Sequence, residues 1–165
     1  MSRLIIGIDN GLDGAIVGLN VDGAVVMKEV MPTVGLHQKG KRAYDLPAMA
    51  LLLHGIEDVH VYIEHAQAMP KQGVSSSFSI GYGYGAWQGI LTALQLPFSI
   101  IVPREWQKVM FEGVDRTDTK KASALIARRL QPGTDWRASE RARTPHDGLT
   151  DAYCIAEYGR RKGRL

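Results

Sequence analysis

With 165 residues, 45% of them hydrophobic, and a net charge of +3, the chain suits one compact domain over residues 1–165 with a core of its own. No apolar run approaches the roughly 20 residues that span a bilayer, and the residues after Met1 lack a signal-peptide pattern. The single cysteine, Cys154, excludes an internal disulfide and fits a reducing compartment, so a cytoplasmic protein is expected.

The run "RLIIGIDNG" is short, isoleucine-rich and apolar, which predicts a buried strand ending at Asp9. Turn dipeptides follow at Asn10-Gly11 and Asp13-Gly14. "AIVGLNV" and "AVVMKEV" read as two further strands joined at Asp22-Gly23, giving a three-stranded antiparallel meander. "PTVGLHQKGKRAY" reads as a basic loop, and "LPAMALLLHGI" as a short helix with Pro47 in its first turn. "VHVYIEHA" alternates and predicts a fourth strand, with Glu64 at or near its end. After the loop "QAMPKQGVSSS", the spacing of Phe78, Tyr82, Ala86, Ile90 and Leu94 predicts a helix. Gly81, Gly83, Gly85 and Gly89 oppose it at up to about 1 kcal/mol each, unless they admit another backbone. "PFSIIVP" is a fifth strand, and "REWQKVMF" a short helix opened by Pro103. "DTKKASALIARRL" is an amphipathic helix capped by Asp118. A charged loop then leads to the last helix, "HDGLTDAYCIAEYGRR".

Charge is uneven along the chain. Residues 1–103 hold 6 Lys and Arg against 8 Asp and Glu, and residues 104–165 hold 14 against 9. Two acids, Asp147 and Asp151, nevertheless open the last helix inside the basic half. On a helix they point about 40° apart. If the first and fourth strands are neighbours, Asp9 and Glu64 lie side by side, and the last helix completes a four-carboxylate cluster. Such hard oxygen ligands suit Mg²⁺ or Mn²⁺. Two ions about 3.5–4 Å apart activate a water and stabilise the leaving oxygen of a phosphodiester. Each acid also has a structural alternative: Asp9 shaping its turn, Glu64 as an exposed strand end, Asp147 as a helix cap. Basic surface around an acidic cluster suits a polyanion brought to bound cations.

The pieces "IGIDNGLDGAI", "VYIEHAQAMPKQGVSSSFSIGYGYG", "VPREWQKVMF", "TKKASALIARRL" and "HDGLTDAYCIAEYGRR" resemble, in that order, RuvC-type Holliday-junction resolvases, particularly the phage-borne branch. The resemblance implies an α/β, RNase H-like fold, with a mixed five-stranded sheet made of the meander plus parallel strands and flanked by helices. It implies a homodimer that binds four-way DNA junctions and cuts them by paired symmetric nicks, in recombination, replication or phage DNA processing. Asp9, Glu64, Asp147 and Asp151 match the family's metal-binding acids, with two Mg²⁺ or Mn²⁺ ions per site. Bacterial members commonly carry the last pair three residues apart; here Gly148 holds that position and the pair is four apart. His146 is a candidate further ligand or helper. The glycine-rich helix matches one that contributes to the dimer interface. In the loop after Glu64 the family's junction-opening aromatic is absent. Gln67 or Met69 stands in its place, and Lys71 is expected to meet phosphate. Lys120 and Lys121 match a basic pair used near the scissile region. Lys39, Lys41, Arg42, Arg137, Arg141 and Arg143 are phosphate contacts by charge alone. Among the tryptophans, Trp106 reads as core and Trp136 as a candidate DNA contact. "GYGYG" lacks the spacing of a dinucleotide fingerprint, so no nucleotide cofactor is expected. Two alternatives stay open: a nuclease for other branched DNA such as flaps and three-way junctions, and a junction-binding protein that has lost catalysis.

Overall fold

The structure is a computed structural model that describes residues 3–67 and 73–163. Its main sheet holds five strands in the order β3-β2-β1-β6-β7. These are β1 (Leu4–Asp9), β2 (Ala15–Leu19), β3 (Val25–Val30), β6 (Val59–Glu64) and β7 (Phe98–Ile101). The first three form the expected antiparallel meander. β6 pairs parallel with β1, in a register running from Leu4 opposite Val59 to Ile8 opposite Ile63, and β7 extends the parallel half. The expected mixed five-stranded sheet is therefore present.

Strand alternation sends side chains into two cores. Ile6, Ile8, Ile16, Val61 and Ile63 pack with Met49, Leu53, Trp87 and Leu91 of two helices, α1 (Leu46–Leu53) and α2 (Val74–Ala93). Ile5, Val17, Leu19 and Tyr62 face the other way, toward α3 (Pro103–Met110), α4 (Thr119–Leu130) and α5 (Asp147–Lys162). Among the described residues, no helix is long and apolar enough to cross a membrane.

α5 is the centre of the second core and is buried from Gly148 to Gly159 except for Asp151. It lies backbone to backbone on β1. A Cβ on Gly7 would collide with the Ala152 carbonyl and the Ala156 amide, and one on Gly148 with the main chain of Asp13 and Gly14. The one acid enclosed within this helix, Glu157, is 3% exposed. Burial pushes its carboxyl up, but hydrogen bonds from the Arg160 and Arg161 guanidiniums more than offset that and hold it below its ordinary value.

Four sequence expectations need correction. The basic segment read as a loop contains a two-stranded hairpin, β4 (Thr33–Gly35) with β5 (Arg42–Tyr44). Its anchor is buried Tyr44, whose hydroxyl donates to the carbonyls of Asn10 at 3.0 Å and Ser79 at 3.3 Å. α2 begins at Val74, inside the segment read as a loop. Of its four glycines, only Gly83 is in close contact, against the Tyr44 hydroxyl and the Asn10 carbonyl; the positions around Gly81, Gly85 and Gly89 are open. Trp136, read as a DNA contact, is 3% exposed and packs on Tyr153 with ring centroids 5.0 Å apart. The Asp118 cap is as expected, its side chain accepting from the Lys121 amide at 3.1 Å.

Candidate active site

The β1 and β6 strands are parallel neighbours, so Asp9 and Glu64 end side by side at the same edge of the sheet. The glycine contacts of α5 fix its first turns against β1 and the 11–14 turn. That placement brings Asp151 and Asp147 to the same edge. Asn10 clamps the two strand ends, its side-chain amide donating to the Glu64 carbonyl at 2.6 Å.

Electrostatics report the crowding. Burial, and then the charges of Asp13 and Asp147, raise the Asp9 carboxyl to about 6 against the pull of the Gly11 amide and Lys120. Glu64 is raised to about 7 by burial and by Asp9, with a hydrogen bond from Trp106 opposing. Asp151 is raised to about 7 by burial, with Asp9, Glu64 and Asp147 adding to it. Asp147 is more exposed and forms an ion pair with Lys120, Nζ to Oδ2 at 2.8 Å. The last helix is capped by His146, whose Nδ1 accepts from the Leu149 amide at 3.3 Å. Asp147 is the first helical residue rather than the cap.

Asp9, Asp147 and Asp151 line a cleft of about 1270 Å³. One wall is the β4–β5 hairpin with Lys41 and Arg42; others are the first turns of α2 and the segment from Thr144 to Gly148, with Lys120 on the rim. Arg42 is tied to Asp13 at 2.5 Å. Of the remaining candidates, Lys121 pairs with Asp118 at 3.1 Å, and Gln67 is exposed three residues beyond Glu64. Met69 and Lys71 lie outside the described residues.

Among the described residues, no three His, Cys, Asp or Glu side chains are gathered tightly enough to hold a metal ion as they stand. The donor chemistry nonetheless fits one. Several carboxylates raise one another's proton affinity, and Lys120 already pairs with Asp147. A hard divalent cation relieves such repulsion and takes oxygen ligands.

No family model matches the sequence, and neither does any curated protein. Solved structures do match. Thermus thermophilus RuvC in complex with a Holliday junction substrate superposes with a TM-score of 0.66 at 19% identity, over 98% of this chain and 96% of that one. A second Thermus thermophilus RuvC structure gives 0.59 at 19%, over 98% and 97%. The chain has the RNase H-like fold of RuvC.

The parts of the candidate site that sequence reasoning missed are those that depend on tertiary placement. Trp106 reads as core and is 1% exposed, yet its indole donates to Glu64 Oε1 at 2.8 Å. Asn10 reads as a turn residue, and its clamp on Glu64 spans 54 positions. The hairpin wall carries no recognisable motif.

Proposed function

We propose that this chain is a metal-dependent endonuclease that acts as a homodimer on four-way DNA junctions and resolves them by paired symmetric nicks. The observation that carries the reading is the convergence of Asp9, Glu64, Asp147 and Asp151 at one edge of a sheet with the RuvC fold. A RuvC structure of that fold contains a Holliday junction substrate.

Asp9, Glu64 and Asp151 would hold the metal, with Asp147 as a further ligand. Two bound Mg²⁺ or Mn²⁺ ions supply an activated water and offset the charge that builds on the phosphate. Lys120, now paired with Asp147, would turn to the phosphate once a cation takes its place. Lys41 and Arg42 on the hairpin wall and Lys121 beside the rim guide the DNA backbone toward the acids. Gln67, exposed three residues beyond Glu64, or Met69 further along the same segment would open the junction centre, and Lys71 would meet phosphate. His146 supports the site by capping the helix that carries the two aspartates. On α2, Val74 is 88% exposed, and Gly81, Gly85 and Gly89 leave open space, which suits a second copy.

Asp9→Asn or Glu64→Gln should abolish cleavage of a synthetic four-way junction while leaving its binding intact. Full activity in either variant would sink the assignment. Rates on four-way, three-way, flap and linear DNA separate a resolvase from a broader branched-DNA nuclease. The loose spacing of the acids and the Lys120–Asp147 pair favour a second reading, a junction-binding protein without catalysis. Junction binding with no product at any Mg²⁺ or Mn²⁺ concentration would establish it.

A further inference from the structure

We propose that Trp106 is a positioning residue of the carboxylate site: its indole N–H fixes one oxygen of Glu64, so that the other is presented to a divalent cation. The proposal rests on the metal-site reading given above.

The bond is short and directional. Trp106 Nε1 donates to Glu64 Oε1 at 2.8 Å, from α3 to the end of β6. The donor is also held still. Trp106 is 1% exposed, and Phe111 packs edge-on against it with centroids 5.3 Å apart and planes at 76°. Residue 64 is tied at both ends, because Asn10 binds its carbonyl at 2.6 Å while Trp106 binds its carboxylate.

The chemistry of the donor matters. An indole N–H donates and never accepts, and it carries no charge. It orients a carboxylate without bringing a positive charge that rivals the metal for it, unlike Lys120 on Asp147. A carboxylate keeps three lone-pair positions when one is taken, enough to bind a metal. Partners that orient a metal ligand in this way typically change metal affinity about 10–100-fold when removed. Nor is the bond a general consequence of burying tryptophan in this protein. Trp87 and Trp136 are equally enclosed, and neither indole nitrogen has a hydrogen-bond partner among the described residues.

That contrast provides a clean test. Trp106→Phe removes the donor and keeps an aromatic ring. Replacing all three tryptophans with benzothienylalanine, in which sulfur stands where the N–H was, keeps the ring shape and removes one protein hydrogen bond, the one to Glu64. Mg²⁺ and Mn²⁺ binding is measured by calorimetry without DNA, alongside thermal unfolding of the metal-free protein. The expected result is metal binding weakened about 10–100-fold in both. Trp106→Phe added to Glu64→Gln should weaken binding no further than Glu64→Gln alone. Wild-type metal affinity in the benzothienylalanine protein overturns the proposal even if Trp106→Phe fails to fold. So does a full additional loss in the double variant. If Glu64→Gln itself binds metal as the wild type does, the metal-site reading falls, and this proposal falls with it.

Discussion

At the scale of single residues, the site trades stability for charge. Asp9, Glu64 and Asp151 hold their protons to about 6, 7 and 7, well above their ordinary values of 3.8, 4.5 and 3.8. The folded chain therefore binds more protons than the unfolded chain between about pH 4 and pH 7. Their contribution to stability is fully present below about pH 4 and is lost as the pH rises through 6 to 7. In metal-free protein, Asp9→Asn should raise the melting temperature at pH 8 by a few degrees and by much less at pH 4. An equal melting temperature for the variant and the wild type at pH 8 would contradict this. The places of Asp9 and Glu64 at strand ends were legible in the sequence, because an apolar strand that stops at a carboxylate is a local pattern. The Trp106 bond was not, because its partners are 42 positions apart and only packing unites them.

At the scale of elements, α5 depends on two close approaches. Gly7→Ala would drive a methyl into the α5 main chain, which has no flexible side chain to give way. It should cost about 3 kcal/mol or more of unfolding free energy in denaturant titration, at the upper end of overpacking effects. A loss below about 1 kcal/mol would mean that the helix can shift on the sheet. The β4–β5 hairpin supports a different expectation. If it guides DNA, Lys39→Ala with Lys41→Ala should reduce the salt dependence of junction binding by about one phosphate contact per lysine. Salt dependence equal to the wild type would remove the hairpin from the interface. The hairpin escaped sequence reading because three-residue strands are too short to show a period, and its anchor, Tyr44, bonds to carbonyls 34 and 35 positions away. The early start of α2 escaped because Ser75 to Ser77 look like loop, although an exposed first turn need not be apolar.

At the scale of the whole molecule, the proposed homodimer on DNA would use the basic half of the chain and the open face of α2. A second copy seated there would cover Val74, 88% exposed in the single chain, and the open positions at Gly81, Gly85 and Gly89, and leave Phe78 and Tyr82 to the cleft they line. Val74→Asp, outside the cleft lining, should convert a dimer into a monomer in sedimentation, and with it turn paired nicks into independent ones. A wild-type chain that sediments as a monomer at micromolar concentration would refute the arrangement. The antiparallel meander was readable from its turns, whereas the mixed five-stranded sheet came only with the resemblance, and the pairing of the first strand with the fourth stood as a condition. Which helix face remains uncovered was not readable, because the pattern of apolar residues on α2 does not separate its sheet side from its outer side.

The contact between Gly7 and α5 has one further consequence. Where two main chains touch, their separation is set by peptide geometry and not by the volumes of particular side chains. The spacing between the end of β1 and the head of α5 is thus independent of most of the core around it. Substitutions elsewhere can accumulate and repack while that spacing stays constant.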